Sequence, residues 1–237
     1  MTGLRTLAVI PARGGSKGLP GKNAMLLARK PLIAYSIEQA KLSGVCDVVL
    51  VTTDSEAIAD IARAHGAEVP FMRPVELAQD ATPSEPVVRH ALDTYEAVSG
   101  TTIDIVVFLQ PTDVFRTPEL IRECVNRLKA APDLDSVFAA DATHKNYWRR
   151  AAGGWSRVAP DLAVYGPRQG RDQLLYREDA GLASASRAAV IRAGRRLGDR
   201  VDVVVTDDFK TSIDIHTPFD LWLAEKILAE WPPTSGD

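Results

Sequence analysis

Short apolar runs alternate with amphipathic stretches along this chain. Residues 4–10 (LRTLAVI) form an apolar run closed by Pro11. Leu32, Ile33, Ser36, Ile37 and Ala40 follow at the three-and-four spacing of a helix with one buried face. Residues 47–53 (DVVLVTT) are a β-branched run, the pattern of a strand covered on both faces. Ser55 stands where an N-cap belongs before AIADIARAHG, and Gly66 where that helix should stop. The pattern goes on to predict a weaker strand over 68–71, a helix over 84–98, a buried strand over 103–109 and a helix over 118–129. Such alternation predicts an α/β fold, a parallel sheet covered by helices, with ligands beyond the carboxyl ends of the strands.

The rhythm breaks after Ala140. Residues 141–185 mix aromatics, glycines and arginines and read as an excursion from the sheet, an annex carrying a dimer contact. Residues 201–205 (VDVVV) resume the core, and Thr217 caps a last helix with Pro218 at its first position and Asp220 in its first turn. The expected organisation is a single domain over 1–237 with an annex inserted at 141–185.

Composition narrows the function classes. At 237 residues the chain can bury a full core, and 46% apolar with 25% charged residues is ordinary globular usage. A net charge of −3 gives no electrostatic footprint for nucleic acid. No apolar run approaches the roughly 20 residues that span a bilayer, and MTGLRTLAVIPARGG lacks the architecture of a signal peptide. The expectation is a cytoplasmic protein without a membrane partner. Cys46 and Cys124 stand far apart with no CxxC spacing, which argues against a disulfide framework or structural zinc. His65, His90 and His144 show no metal-ligand spacing.

The chemistry begins directly after the first strand. Residues 12–23 (ARGGSKGLPGKN) place four glycines beside Arg13, Lys17 and Lys22. Glycines let main-chain amides approach an anion, and the cations offset accumulated negative charge, so a nucleotide triphosphate is the natural ligand. The loop is not a Walker A motif, because Ser16 stands where a glycine is needed and Asn23 where a Ser or Thr is needed. No G-x-G-x-x-G fits it either, which sets a hydride-transfer enzyme aside.

IPARGGSKGLPGKN resembles the signature loop of the acylneuraminate cytidylyltransferase family, the CMP-sialic acid synthetases. VTTDSEAIADIARAHGAEV, RPVELAQD, LQPTD, PRQ and SIDIHTPFDLWLAEKIL resemble further family segments in the same order. The resemblance implies a Rossmann-like, three-layer nucleotidyltransferase fold, a mostly parallel sheet and a homodimer. It also implies transfer of CMP from CTP to an acidic sugar, with magnesium required and pyrophosphate released. Carried over by position, Ala12, Arg13, Gly14, Gly15, Ser16, Lys22, Asn23, Arg73, Ala81, Thr82 and Ser84 would hold CTP. Gln110, Lys145, Arg168, Gln169 and Asp179 would face the acceptor. Arg13, Lys22 and Asp214 would be catalytic, through positioning and charge neutralisation, which dominate phosphoryl-type transfers.

The chain departs from the family pattern in three places. The C-terminal Asp-x-Asp reads Asp214-Ile215-His216, and imidazole is a poor magnesium ligand. His216, just before a capped helix, is expected neutral, holding a metal-bound water or a phosphate oxygen behind the ligands. LQPTS reads LQPTD, so Asp113 is expected to join Asp214 at the metal; the alternative is a loop residue, or a cap for the helix beginning near Thr117. The acceptor segment, near ENGAIY in the family, reads Glu178-Asp179-Ala180-Gly181-Leu182-Ala183. Loss of the tyrosine and gain of Asp179 imply a rebuilt acceptor pocket.

Three functions therefore stand open on sequence alone. The acceptor is a nonulosonic acid by family default, or a smaller acid such as a phosphonate. A nucleotide-binding regulator that has lost catalysis is the reading from another class. Arg149, Arg150, Arg168, Arg171 and Arg177 either clamp an acidic acceptor bidentately or form salt bridges across a dimer. Trp148 and Trp155 read as packing or interface aromatics.

Overall fold

The structure is a computed structural model that describes residues 3–15, 18–143, 145–160 and 175–231. Alternating side chains of the first strand set its layers. In β1 (Thr6–Pro11), Ala8 and Ile10 face one side and Leu7 and Val9 the other, and all are buried. A two-strand ribbon, β2 (Leu26–Leu27) with β3 (Lys30–Pro31), leads into α1 (Leu32–Ser43). Next come β4 (Val48–Thr52), α2 (Glu56–Ala64), α3 (Ser84–Ser99), β5 (Ile105–Phe108) and α4 (Pro118–Ala130).

The chain continues through β6 (Ser136–Thr143), β7 (Trp148–Ala151), β8 (Gly154–Arg157), β9 (Leu175–Glu178) and β10 (Ser184–Arg187). It closes with α5 (Ala188–Arg192), β11 (Val201–Thr206) and α6 (Pro218–Glu230). The main sheet runs β11-β6-β10-β5-β1-β4, with β9 pairing on β6. β1, β4, β5, β6 and β11 share one direction, and only β9 and β10 oppose it.

Ala8, Ile10, Val49, Val51 and Val107 pack against Ile33 and Ile37 of α1, Ile58 of α2 and Ile121 and Val125 of α4. Leu7, Val9, Leu50 and Val106 pack against Val88 and Leu92 of α3 and Ile191 of α5. The result is the three-layer α/β arrangement expected. A third cluster matters more for function: Leu19, Leu27, Leu32, Val114, Ile215 and Ala224 bury one another. It ties the glycine-rich loop, the segment after β5 and the start of α6 into one body.

Several local expectations need correction. Residues 68–71 make only a single bridge, Leu50 with Glu68, rather than a strand. Ser55 precedes α2 without a side-chain capping bond. The sheet does not stop at Ala140: β6 runs to Thr143, and β9 returns to pair with its last residues, Ala140 opposite Glu178. β10, inserted antiparallel between β5 and β6, is short and polar (SASR), and its buried Ser184 and Ser186 hid it from a hydrophobic pattern. Of the excursion, the β7–β8 hairpin stands apart as its own two-strand sheet, with Trp148 and Trp155 exposed and Arg157 over the Trp148 ring. Thr217 caps α6 in a full capping box with Asp220. No helix among the described residues is long and apolar enough to cross a membrane.

Candidate active site

Two cavities open at the carboxyl ends of the parallel strands, and Gln110, just past β5, lines both. The larger, about 470 Å³, is walled by Arg13, Lys22, Asn23, Arg73, Thr82 and Ser84 among others. Arg73 is buried; its Nη2 donates to the Thr52 carbonyl at 2.8 Å, while its Nε is buried with no partner. Burial acts against its charge and lowers its pKa. A guanidinium that lines a cavity is a ready handle for an anion. Arg13 is held by Asp80 at 2.7 Å, and its carbonyl accepts from Asn23 Nδ2 at 3.0 Å. Gly18 must be glycine for a packing reason: a Cβ there would lie 2.7 Å from the His216 carbonyl oxygen.

The smaller cavity, about 220 Å³, is lined by Gln110, Asp113, Glu178, Asp179, Arg196 and Asp214, with Ala180, Gly181 and Leu182. Arg116, fully buried, organises it. Its guanidinium donates to the carbonyls of Gln110 (2.9 Å), Gly181 (2.8 Å) and Leu182 and to Ser36 Oγ (2.7 Å). It lies 4.0 Å from Asp113 Oδ2. One side chain thereby clamps the turn after β5 to the turn before β10 and to α1. Asp113 Oδ2 and Asp214 Oδ1 are buried without a hydrogen-bond partner. Burial raises the Asp113 pKa to about 7; Arg116 and Lys22 oppose the rise, and Asp214 and Asp179 add to it.

Lys22, His216 and Asp214 join the two cavities. Lys22 Nζ donates to the Ile215 carbonyl at 2.9 Å and lies 3.4 Å from His216 Nδ1. His216 Nε2 lies 2.7 Å from Asp214 Oδ2. The ring nitrogens of His216 thus bridge the Lys22 ammonium and the Asp214 carboxylate. Burial lowers the Lys22 pKa, and Asp214 opposes that.

The sequence profile of the cytidylyltransferase family matches residues 7–151. The chain is 35% identical over 230 residues to the CMP-N,N'-diacetyllegionaminic acid synthase of Legionella pneumophila, covering 95% of this chain and 97% of that protein. The chain belongs to the cytidylyltransferase family. It is also 40% identical over 141 residues to the N-acylneuraminate cytidylyltransferase of Escherichia coli, a match spanning 60% of this chain and 32% of that protein. A solved CMP:2-keto-3-deoxy-manno-octonic acid synthetase complexed with CTP superposes with a TM-score of 0.70 at 19% identity, covering 95% of this chain and 99% of that one. That likeness shows the nucleotidyltransferase fold.

In this cytidylyltransferase, the candidate site residues fall into four groups. Arg13, Lys22, Asn23, Arg73, Thr82 and Ser84 converge on the larger cavity, and Gln110, Asp113, Asp179 and Asp214 on the smaller. Ala12, Gly14, Gly15, Ala81 and Lys145 line neither. The amides of Ala12 and Gly14 are already engaged, by the Thr52 carbonyl (3.0 Å) and Asp54 Oδ1 (2.9 Å), so the amide cradle does not include them here. Ser16, Arg168, Gln169 and Arg171 lie outside the described residues.

The surroundings of Asp113 and Asp179 narrow what each can be. Thr117 caps α4 itself, accepting from the Leu120 amide, so Asp113 is not that cap. Asp179 does not stand as an unbalanced charge, because Arg177 Nη2 pairs with it at 2.7 Å. Sequence reasoning missed Arg116 and Arg196, and named Gly181 only as part of the acceptor segment. Arg116, three residues beyond LQPTD and directly after the apolar pair Val114 and Phe115, could have been found as a charge beside a motif; the role of the other two becomes visible only through the fold.

Proposed function

We propose that this cytidylyltransferase transfers CMP from CTP to a nonulosonic acid, with the triphosphate in the larger cavity and the acceptor in the smaller. The observation that carries the reading is the bridge Lys22–His216–Asp214 at the junction of a cationic cavity and an anionic one. An acceptor hydroxyl attacks the α-phosphorus, the bond to the β-phosphate oxygen breaks, its electron pair leaves with pyrophosphate, and the hydroxyl proton is released. Arg13, Lys22 and Arg73 supply positive charge to the triphosphate. Gln110 faces both reactants and holds them in one geometry. Asp179, balanced by Arg177, accepts from a hydroxyl or amine of the acceptor.

Magnesium fits this site. Two orphaned carboxylate oxygens, Asp113 Oδ2 and Asp214 Oδ1, are hard donors of the type the ion prefers. Among the described residues no third His, Cys, Asp or Glu completes a metal-holding group with them. Magnesium commonly takes only one or two protein carboxylates beside phosphates and waters, so that donor number suits it. Asp113 and Asp214 would hold it, with His216 fixing the second oxygen of Asp214. When bound, the ion would neutralise phosphate charge at the reacting centre. A homodimer through the annex belongs to the same proposal; Trp148, Trp155 and Tyr176 are exposed there.

Pyrophosphate release from CTP and magnesium tests the reading. The acceptor panel holds several nonulosonic acids, 3-deoxy-octulosonate and small phosphonates, with the other nucleotides as controls. Turnover with a nonulosonic acid and CTP is the expected result. Turnover with the phosphonates alone overturns the acceptor class, and light scattering at the mass of one chain overturns the dimer.

A further inference from the structure

Arg196 is the one cation lining the smaller cavity among the described residues, facing the carboxylates of Asp113, Glu178, Asp179 and Asp214. It follows α5 and the left-handed Gly194, and its carbonyl accepts from Ser186 Oγ of β10 at 2.5 Å. Its guanidinium lies 4.8 Å over the ring of Phe108, which walls the larger cavity. Its Nε pairs with Glu85 Oε1 at 3.1 Å, next to Ser84 at the start of α3. Burial acts to raise the Glu85 pKa, but its own backbone amide and Arg196 outweigh it and hold the carboxyl below its ordinary value, so the pair is ionised at neutral pH. Among the described residues the Nη atoms carry no hydrogen bond. The side chain is therefore fixed at the stem, stacked on one face, and left with unmet donors at its tip.

We infer that Arg196 is a specificity-determining residue of the acceptor cavity and donates to the carbonyl oxygen of an acylamino group on the acceptor. The inference rests on the proposed transfer to a nonulosonic acid and names the group that the smaller cavity reads. A guanidinium can only donate, so its partner must be an oxygen that accepts. Hydroxyls and amines suit the surrounding carboxylates instead. An acceptor carboxylate does not suit this corner either, because Glu85 already balances Arg196 and four more carboxylates line the cavity. A neutral carbonyl avoids that repulsion and still receives a charge-assisted bond. The relatives named above act on N-acylated acids.

The test is a cycle between protein and substrate. Wild type, Arg196→Met and Arg196→Lys are each assayed for pyrophosphate release with an N-acetylated nonulosonic acid and with its free-amine counterpart, and KM is read separately for CTP and acceptor. Arg196→Met is expected to raise the KM of the acetylated acceptor about tenfold, the worth of one hydrogen bond to a charged donor. The CTP KM should stay within about twofold, and on the free-amine acceptor the variant should match wild type. Arg196→Lys, which keeps the charge beside Glu85, should show a smaller loss confined to the acetylated acceptor. Equal losses on both acceptors, or a CTP KM that rises as much as the acceptor KM in both variants, overturns the inference and makes Arg196 a strut for α3. A wild type silent with both acceptors but active with 3-deoxy-octulosonate or a phosphonate overturns the proposed acceptor class, and the inference with it.

Discussion

Arg13, Lys22 and Arg73 line the larger cavity, whereas four carboxylates and Arg196 line the smaller. The two also differ in how the chain assembles them. The larger is walled chiefly by the loop after β1, the segment that joins α2 to α3 and the turn after β5. The smaller draws on the turn after β5, the turn into antiparallel β10, the segment beyond α5 and the stretch before α6. On the proposed assignment the triphosphate meets contiguous motifs, whereas the acceptor meets a cavity put together from short pieces that can change independently.

The largest effect is expected at Asp113, a buried carboxylate of the smaller cavity. Asp113→Asn should lower the rate of pyrophosphate release by about 10²–10³-fold, within the range for losing a preorganised charge in a reacting site, and move magnesium activation to higher concentration. An unchanged activation curve removes Asp113 from the metal site. Stability should move the other way in protein without metal. With the folded pKa near 7 and an ordinary aspartate near 4, the unfolded chain binds fewer protons here between those values. Wild-type stability therefore falls as pH rises across that window and levels above it. Asp113→Asn escapes the penalty, so at pH 8 its melting point should lie above wild type by about 4–8 °C, equivalent to roughly 2 kcal/mol. At pH 4 the gain should vanish. A site that is better folded when disabled is a site that stores unfavourable charge for function.

The same contrast governs what could be read without a fold. Leu7 to Ile10, Val49 to Val51 and Ile105 to Phe108 are apolar runs, and α1 to α4 follow helical periods, so the half of the sheet that carries the larger cavity was legible. β10 was not, because Ser184 and Ser186 are buried although polar; Ser186 Oγ is met by hydrogen bonding, lying 2.8 Å from Ser136 Oγ. Lys22, Asn23 and Arg73 were reachable through motif resemblance, since they sit in fixed segments. Arg196 has no motif around it, and its place beside Glu85, separated by 111 positions, exists only after β10 and α5 have formed. The amides of Ala12 and Gly14 mark the opposite error: glycine content suggested a cradle, yet Thr52 and Asp54 had already taken those donors.

Arg73→Met sharpens the comparison from the cationic side. Its Nη2 serves the Thr52 carbonyl and the side chain lines the larger cavity, so the variant gives up both a structural bond and an anion handle. The CTP KM should rise about 10–100-fold, as for loss of a charge-assisted contact to phosphate. The acceptor KM, measured at saturating CTP, should stay within about twofold. If both constants rise together, the cavities are one energetic unit and the division drawn from their linings does not hold.

The smallest effect is expected at Gly181, and it bears on Gln110, the side chain the cavities share. A Cβ at Gly181 would lie 2.5 Å from Gln110 Oε1, 2.7 Å from its Cδ and 3.0 Å from Asp113 Oδ2. The Gly181 backbone needs no left-handed conformation, so Gly181→Ala brings steric conflict without backbone strain. The Gln110 side chain can swing aside, which should leave the melting point within about 2 °C, consistent with a cost near or below 1 kcal/mol. What it cannot do is swing aside and still face both reactants. Release of pyrophosphate should fall about five- to tenfold, the scale of one misplaced positioning contact. If the loss appears in the acceptor KM alone, Gln110 belongs to the anionic cavity and only borders the other. If it appears in kcat with both KM values unchanged, Gln110 acts by aligning the acceptor hydroxyl with the α-phosphorus, and the boundary between the cavities is the reacting centre itself.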